Sequence, residues 1–400
     1  MKNLQRNVFS FFITTILAGG SSSALAASST NIGKSYGDLR LRYEGVEQDN
    51  SARNASGLTL RTRLGFSTAQ FKGFSSTVEF EDSRVVAGVD DYKNTLGLGN
   101  QYSAVADPET TELDQALLQY KTKDLTAKVG RQVLTFDNHR FVGHVGWRQD
   151  RQTFDGASFN YTGIDNLSVN YSYLNQRNRI FAQSKDISAS DHLVNLSYKT
   201  THGVITGYSY LLEQDSKGDN GLDTYGVRFS GSANKGNSKY LYSAEYAIQE
   251  SQIGAIEYDA SYLLLEAGAV FKGITAKLGY EVLGSDNGNY GFSTPLATLH
   301  KFNGWADQFL ATPKQGLTDI SLALSGKVAQ GTWNITYHDF SSEEPGAGLD
   351  DLGSELDLAY VVKFAKHYNA GIKYAAYQAG GTEFNKVDTD KLWLWVGASF

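Results

Sequence analysis

Charged side chains recur at every second position in several segments of the sequence. The alternating positions include Arg40, Arg42, Arg61, Arg63, Glu79 and Glu81. Residues two apart point to the same face of a β-strand, so each pair would lie on one strand face. Guanidinium groups stay charged at any relevant pH and bind carboxylates or phosphates through two parallel hydrogen bonds. The spacing therefore predicts charged strand faces that either bind anions or form ion-pair ladders between neighbouring strands.

The sequence lacks the side chains of several reaction classes. It contains no cysteine, which excludes disulfides, cysteine-based zinc sites, iron–sulfur clusters and thiol nucleophiles. The candidates for a hydrolase would be His300, Asp307, His338 and Asp339. His338 and Asp339 are sequence neighbours, so a strand would point them to opposite faces. The histidines show no metal-ligand spacing, and we predict neither an enzyme nor a required cofactor.

One loop carries oxygen ligands of the kind that calcium prefers. They are Asp215, Asp219, Asn220 and Asp223. The spacing is not that of an EF-hand loop. We interpret the segment as a solvated surface loop, with a calcium site in the outer loops as the alternative.

The elements that position the charged residues are β-strands with apolar second faces. Leu39, Leu41 and Tyr43 alternate with the charges of one segment, and the same period of two recurs along the chain. Glycine (41), tyrosine (24) and phenylalanine (21) are frequent, whereas proline (4) is rare. This composition favours strands and turns. No helical period follows the first segment.

The connections alternate between short and long. Eight short links and nine long ones predict 18 strands, with 16 as the alternative. The long connections are 47–57, 84–111, 134–150, 177–190, 213–221, 249–256, 284–316, 341–351 and 378–390. An even strand count, short turns on one side and long loops on the other are typical of a bacterial outer-membrane β-barrel. A soluble propeller is the alternative, but it would not explain this alternation.

The first residues resemble a secretory signal peptide. Lys2 and Arg6 precede an apolar run over 8–20, and an A-x-A cleavage signal ends at Ala26. We expect a signal peptide at 1–26 and a barrel channel domain at 27–400. The full sequence carries a net charge of −7, and loss of the two basic residues would leave −9, which argues against nucleic acid as a partner. No later apolar run reaches the roughly 18 residues of a membrane-spanning helix.

The last segment also fits a barrel. From Leu392 onward every second residue is apolar, and the chain ends on Phe400. A final strand with a terminal aromatic residue resembles the signal for barrel assembly, which implies the assembly machinery, membrane lipid and lipopolysaccharide as partners. The opposite strand faces would then line the lumen. The predicted pore-lining residues are Arg40, Arg42, Arg61, Arg63, Arg228, Lys277, Glu79 and Glu81.

Two stretches are similar to a known family. One runs from Gly130-Arg131-Gln132 to Arg151-Gln152-Thr153-Phe154-Asp155-Gly156, and the other from Thr294-Pro295 to Thr312-Pro313 and Gly316. Together with the barrel pattern they resemble the alginate-export family of outer-membrane proteins. The resemblance implies an 18-stranded barrel with an arginine-lined pore, loops inside the lumen, and passage of an anionic polysaccharide or its fragments.

Carried over by position, the resemblance assigns further residues to the pore. They are Arg131, Arg140, Arg148 and Arg151, with a gating loop containing His300, Lys301, Trp305 and Asp307. Arg131 departs from the pattern, because strict alternation would turn it toward lipid with Val129. A bulge at Gly130 would reverse its direction.

The function that this pattern predicts is passive passage of anionic solutes. The favoured solutes are acidic polysaccharides or oligosaccharides such as alginate-like uronates, because selectivity follows the charge of the pore lining. A general porin for small hydrophilic solutes is the alternative. The pattern fits import as well as export.

Overall fold

The computed structural model describes residues 32–215, 220–346, 349–381 and 386–400. Within these ranges, eighteen strands form one antiparallel sheet, and β14 and β15 form a separate small hairpin. The expected signal peptide lies outside the described residues. The strands are β1 (Gly33–Gln48), β2 (Ala55–Thr68), β3 (Phe74–Asp91), β4 (Thr110–Lys121), β5 (Leu125–Gln132), β6 (Thr153–Ile164), β7 (Leu167–Asn178), β8 (Ile187–Lys199), β9 (Val204–Glu213), β10 (Asn220–Lys235), β11 (Ser238–Ile253), β12 (Ile256–Phe271), β13 (Ile274–Leu283), β14 (Ser285–Asp286), β15 (Tyr290–Gly291), β16 (Leu317–Val328), β17 (Gly331–Gly346), β18 (Leu349–Phe364), β19 (Tyr368–Gln378) and β20 (Thr389–Ser399).

The sheet closes on itself. Each barrel strand pairs with its sequence neighbours, and β1 pairs with both β2 and β20. Backbone hydrogen bonds of 3.0 Å in each direction join Gly37 to Phe400 at the seam. Closure leaves none of the eighteen described barrel strands with an unpaired edge, which a sheet surrounded by lipid requires. The expected 18-stranded barrel is confirmed, and the alternative of 16 strands is wrong.

The two faces of the wall differ as the alternation predicts. Outward-facing Leu64 and Phe80 are 52% and 56% exposed, whereas inward-facing Arg42 and Glu81 are 0% and 2% exposed. An apolar outer band and a polar interior are the arrangement that a membrane barrel needs. The buried charges also indicate that polypeptide fills part of the lumen.

The connections follow the predicted short and long alternation with two exceptions. β11 continues to Ile253 and β12 begins at Ile256, so 249–256 is not a long loop. β17 likewise continues to Gly346 and β18 begins at Leu349, which shortens 341–351 and places Pro345 within β17. Hairpin pairing continues there because neighbouring strands satisfy each other's backbone groups. Pro345 is tolerated because the register is irregular between Ser341 and Gly346.

Among the described residues, we find no helix with the length and apolar character that crossing a membrane demands.

Candidate functional site

Two long connections lie inside the barrel and contact each other. Loop A (133–152) joins β5 to β6, and loop B (284–316) joins β13 to β16. The amide of Gly143 donates to the carbonyl of Leu296 at 2.8 Å, and the amide of Thr298 donates to the carbonyl of His139 at 3.1 Å. We call the two loops together the inner layer.

An apolar cluster anchors the inner layer to one side of the wall. Phe141 of loop A packs against Tyr208 and Tyr262 of the wall and against Phe292 of loop B, with ring centroids 5.1–6.0 Å apart. Aromatic pairs at these separations each contribute about 0.5–1.5 kcal/mol beyond their area burial. The layer is therefore packed like a protein core on this side.

On the opposite side, arginines of β1 hold the backbone of loop A. Arg40 donates from Nη2 to the carbonyls of Trp147 and Arg148 at 2.6 and 2.7 Å, and from Nε to Gln149 at 3.1 Å. Arg42 donates to the Trp147 carbonyl as well. These guanidinium groups satisfy loop carbonyls that would otherwise be buried without a partner.

Most of the predicted pore-lining charges are paired with one another. The ion pairs are Arg42 with Glu44 and Asp107, Arg61 with Asp38, Arg63 with Glu81, Arg151 with Glu79 and Asp114, and Arg148 with Glu44. The cluster Arg40, Arg42, Arg61 and Arg63, called the arginine cluster below, is therefore largely neutralised by carboxylates. Removing one partner of a buried pair costs about 3–5 kcal/mol, because the other charge stays buried.

Asp307 of loop B joins both loops to the wall. Its carboxylate accepts hydrogen bonds from His300 at 2.6 Å, Arg148 at 2.9 Å and Lys391 at 2.8 Å. Burial by itself would raise the pKa of Asp307, but His300, Lys391 and Arg148 hold that pKa well below its usual value. Asp307 is therefore a carboxylate shared by loop B, loop A and β20.

His300 of loop B is enclosed on every side. Its Nδ1 is 2.6 Å from Asp307, and Lys373 of β19 places Nζ 2.7 Å from Nε2. Trp147 stacks on the imidazole with ring centroids 5.4 Å apart, and Lys373 lies 3.6 Å from the ring centroid of Trp305. Burial lowers the pKa of His300 to about 3, so the ring is neutral near pH 7. The contacts fit a ring that donates from Nδ1 to Asp307 and accepts at Nε2 from Lys373.

Loop B also docks on an acidic part of the wall. The amide of Ala306 donates to Glu355 at 2.7 Å, and the amide of Trp305 donates to Asp357 at 3.2 Å. Gly304 has a φ of 84°, and a Cβ there would lie 2.2 Å from Glu355 Oε2. Only glycine allows the backbone to approach the carboxylate this closely.

Arg140 and Asn303 make a second contact between the loops and this wall. Arg140 is 2.9 Å from Glu281, and its Nη2 donates to Asn303 at 3.0 Å. Asn303 in turn donates to Glu281 at 2.7 Å and to Asp319 at 3.0 Å. His338 lies 2.9 Å from Asp319, so its partner is a neighbouring strand residue rather than Asp339.

A group of cations lies apart from the arginine cluster. Arg228 pairs with Glu245 at 2.5 Å, and Lys277 pairs with Glu266 at 2.8 Å. Lys301 of loop B is exposed and donates to the carbonyl of Asn138 at 2.7 Å. It lies within electrostatic range of Arg228, Lys277 and the carboxylate of Glu266.

Arg131 does not face the lumen, and its prediction as a pore-lining residue is wrong. β5 pairs with β4 and β6 without a register shift, so Gly130 does not reverse the alternation despite its φ of 114°. Arg131 therefore shares the outer side with Val129, which is 55% exposed. It donates to Asp155 at 2.7 and 3.0 Å, which neutralises its charge on that side.

The calcium alternative is not supported by a described cluster. Asp219 lies outside the described residues, and Asp215 accepts a hydrogen bond from Ser190 at 3.0 Å. In the ranges that the structure describes, no three histidine or acidic residues are grouped to hold a metal ion. Calcium binding by this loop stays a prediction.

Sequence reasoning missed several residues that hold the inner layer. Asp107, Gln149, Asn303 and Lys391 carry no local signal, because each is a single polar residue in a loop or strand end. The backbone amide of Gln149 donates to the carboxylate of Asp107 at 2.9 Å. Only the closed barrel brings such residues together.

Comparisons with known proteins agree with this geometry. OccK9 (OpdG) of Pseudomonas aeruginosa is 13% identical, with a TM-score of 0.72 over 93% of this chain and 100% of that chain. OccAB1 of Acinetobacter baumannii is 12% identical, with a TM-score of 0.71 over 92% and 96%. The outer membrane protein opdK of P. aeruginosa is 10% identical, with a TM-score of 0.70 over 92% and 98%. At these identities the likeness concerns the fold.

The sequence comparison gives the family. No curated protein of similar sequence was found. The alginate export family model matches residues 34–282, which is more than half of the chain. The match includes loop A, the arginine cluster and thirteen of the barrel strands nearly to the end of β13. The protein therefore belongs to the alginate export family, as a channel-forming β-barrel of the bacterial outer membrane.

Proposed function

We propose that the barrel is a passive channel for anionic solutes, with acidic polysaccharides or oligosaccharides such as alginate-like uronates as the preferred class. The observation that carries this proposal is Lys301 of loop B, an exposed cation inside the barrel; its neighbours Arg228 and Lys277 are paired with Glu245 and Glu266. Lys301 is exposed, and within the described part of the chain it makes no ion pair. An exposed cation in a water-filled lumen attracts anions, because the low-dielectric walls around the lumen focus its field.

Unpaired lysines matter more for solute binding than the arginine cluster, because the arginines are largely paired with carboxylates. A guanidinium already bound to a carboxylate offers little net charge to a passing solute. Lysine is a point charge with rotatable donors and binds a carboxylate without the fixed two-bond geometry of arginine. A conducting pore needs binding that is favourable enough for entry and weak enough for release. Lys128 of β5 also faces the interior, beside loop A, and has no ion pair among the described residues. Lys301 and Lys128 therefore meet this requirement better than the arginine cluster.

Charge reversal at the two lysines tests the proposal. We expect planar bilayers containing the unaltered protein to show an anion-selective reversal potential. The double variant Lys301→Glu, Lys128→Glu should shift that potential toward cations, because it replaces two positive lumen charges with negative ones. Lys123→Glu, in the exposed turn between β4 and β5, is the matched control and should leave the potential unchanged. An equal reversal potential in all three proteins contradicts the proposal.

Block by solutes tests the substrate class. Uronate oligomers should interrupt the current more often than neutral oligosaccharides of equal length, since only the former carry carboxylates. The recordings need unaltered protein and both oligomers at matched concentration.

A general porin for small hydrophilic solutes is the second candidate. The observation in its favour is the neutralisation of Arg42, Arg61 and Arg63 by neighbouring carboxylates, which weakens the positive field of the lumen. Equal block by acidic and neutral oligomers would favour this candidate.

A further inference from the structure

A polar cavity lies between loop A and the wall on the side of strands β5–β8. Its volume is about 440 Å³, within the roughly 300–1,000 Å³ of typical small-molecule sites. Asn160 and Asn170 line it close to the turn between Ile164 and Leu167. This turn is one of the short connections, so the cavity lies in the half of the barrel on the short-turn side.

The wall of this cavity carries a row of amide side chains. Asn160, Asn170 and Asn195 are directly opposite one another on β6, β7 and β8. Asn160 donates to Asn170 at 2.7 Å, and Asn170 approaches Asn195 at 3.5 Å. Asn195 donates to Asp137 of loop A at 2.8 Å. The donated bonds run in one direction and end on a carboxylate, which fixes the orientation of the amides.

The row leaves hydrogen-bonding capacity toward the cavity. A side-chain amide has two donor hydrogens and an oxygen that accepts two bonds. The amide nitrogen of Asn160 donates to Ser168 and Asn170, but no described residue donates to its Oδ1, which is free to accept. Ser158 and Ser172 add hydroxyl oxygens to the lining, and the Ser158 hydroxyl donates to Gln132. Phe136 contributes an aromatic surface, held by stacking on Tyr210. Lys128 adds an amine that has no ion pair among the described residues.

This lining matches the chemistry of a sugar ring. Ring hydroxyls both donate and accept, so they pair with amides and serines in either direction. The C–H face of the ring is apolar and fits an aromatic surface. A phosphate ligand would instead call for several arginines, and an apolar ligand would leave the amides without partners.

We propose that the cavity is a saccharide-binding subsite in which Asn160 and Asn170 hold the hydroxyls of one sugar ring. Lys128 receives the carboxylate when the ring is a uronate. The assignment rests on the proposed function for its place on the solute path, but hydroxyl recognition does not depend on the anion preference. A chain of sugar units pauses here at the short-turn end of the barrel.

The experiment compares blocking times in planar bilayers. Uronate oligomers and neutral hexose oligomers are each added to the short-turn side of full-length protein and of the Asn160→Ala, Asn170→Ala double variant. Each hydrogen bond to a neutral group is worth about a fivefold effect, so the double variant should shorten the blocked state at least about tenfold for both oligomers. Asn334→Ala, on the lumen side of β17 outside the cavity, should leave it unchanged. Block by succinate, a dicarboxylate without hydroxyls, should last equally long in the unaltered protein and in the double variant.

The outcomes separate the two proposals. Equal block of the unaltered protein by acidic and neutral oligomers, shortened in the double variant, overturns the anion preference and supports the subsite. Preferential uronate block with an unchanged blocked time in the double variant overturns the subsite and leaves the anion preference intact. Absence of block by either oligomer overturns both. Asn160→Asp keeps the side-chain size and should shorten uronate block more than neutral block, which excludes misfolding as the cause.

Discussion

Replacing Asp307 with asparagine is expected to release the inner layer and to open the channel to larger currents. Asparagine keeps the size of the side chain but removes the charge shared by His300, Arg148 and Lys391. In the described part of the chain, Lys391 has no other carboxylate within ion-pair distance. It would stay buried at 6% exposure without a counter-charge.

The free energy lost by removing the Asp307 charge is large enough to shift the inner layer from its docked to its released state. Breaking a buried pair by removing one partner costs about 3–5 kcal/mol. A change of about 5.5 kcal/mol moves a two-state equilibrium from 1:99 to 99:1. We therefore expect single-channel recordings of Asp307→Asn to show a substantial population of high-conductance openings. Backbone hydrogen exchange in loops A and B should become faster, while the barrel strands stay protected.

A matched substitution in the same loop is the control. Asp286→Asn changes the same charge in loop B, but among the described residues the Asp286 carboxylate accepts hydrogen bonds only from the Asp259 backbone amide at 3.3 Å and from its neighbour Asn287. It should leave conductance and loop exchange close to those of the unaltered protein. If Asp307→Asn conducts like Asp286→Asn, the inner layer is not held by Asp307.

Acidification is expected to release the inner layer between pH 6.5 and pH 4. Docking holds the pKa of His300 at about 3, mainly through burial, whereas a solvated histidine has a pKa near 6.5. The released loop therefore binds more protons than the docked loop once the pH falls below 6.5. Docking is strongest above that value and weakens as the pH falls toward 3.

The charges around His300 oppose one another: burial, Lys373 and Arg148 lower its pKa, whereas Asp307 raises it, and burial prevails. His300 is faced by Asp307 on its own loop, Arg148 on loop A and Lys373 on β19, with Lys391 of β20 beyond Asp307. Protonated His300 would lose its bond from Lys373 and lie beside two further cations. One pKa unit corresponds to 1.36 kcal/mol, so at pH 5 the docked state loses about 2 kcal/mol from this residue. Burial also lowers the pKa of His144 in loop A to about 4, which adds to the same trend.

The measurement is conductance and loop hydrogen exchange across this pH range. His300→Gln should reduce the pH dependence, because glutamine does not titrate. His202→Gln, in the exposed turn between β8 and β9, should retain the pH dependence of the unaltered protein. Conductance and exchange that stay constant from pH 7 to pH 4 would show that His300 does not couple protons to docking.

Much of the wall could be predicted because its pattern is local. Period two alone places Arg40 and Arg42 on the opposite face from Leu39 and Leu41, and the structure agrees. The same rule placed Arg131 beside Val129 on the outer side. The family resemblance pointed the other way, and the uninterrupted register of β5 decides for the local rule.

The inner layer could be predicted only in outline. The resemblance drew attention to His300 and Asp307, but their partners lie far away in sequence. Arg148 is 159 residues from Asp307, and Lys391 is 84 residues from it. Such contacts depend on barrel closure, which brings β20 next to β1, and no local period encodes them.

The sequence by itself determined the number of strands, the face that each side chain occupies and the end at which the long connections lie. These properties follow from the two-residue repeat of a strand and from the turn residues between strands. Only the tertiary structure decided which charge meets which. The lumen-facing arginines predicted to attract anions are largely paired with carboxylates, because closing the barrel and folding two loops into it bury charges that must then be compensated.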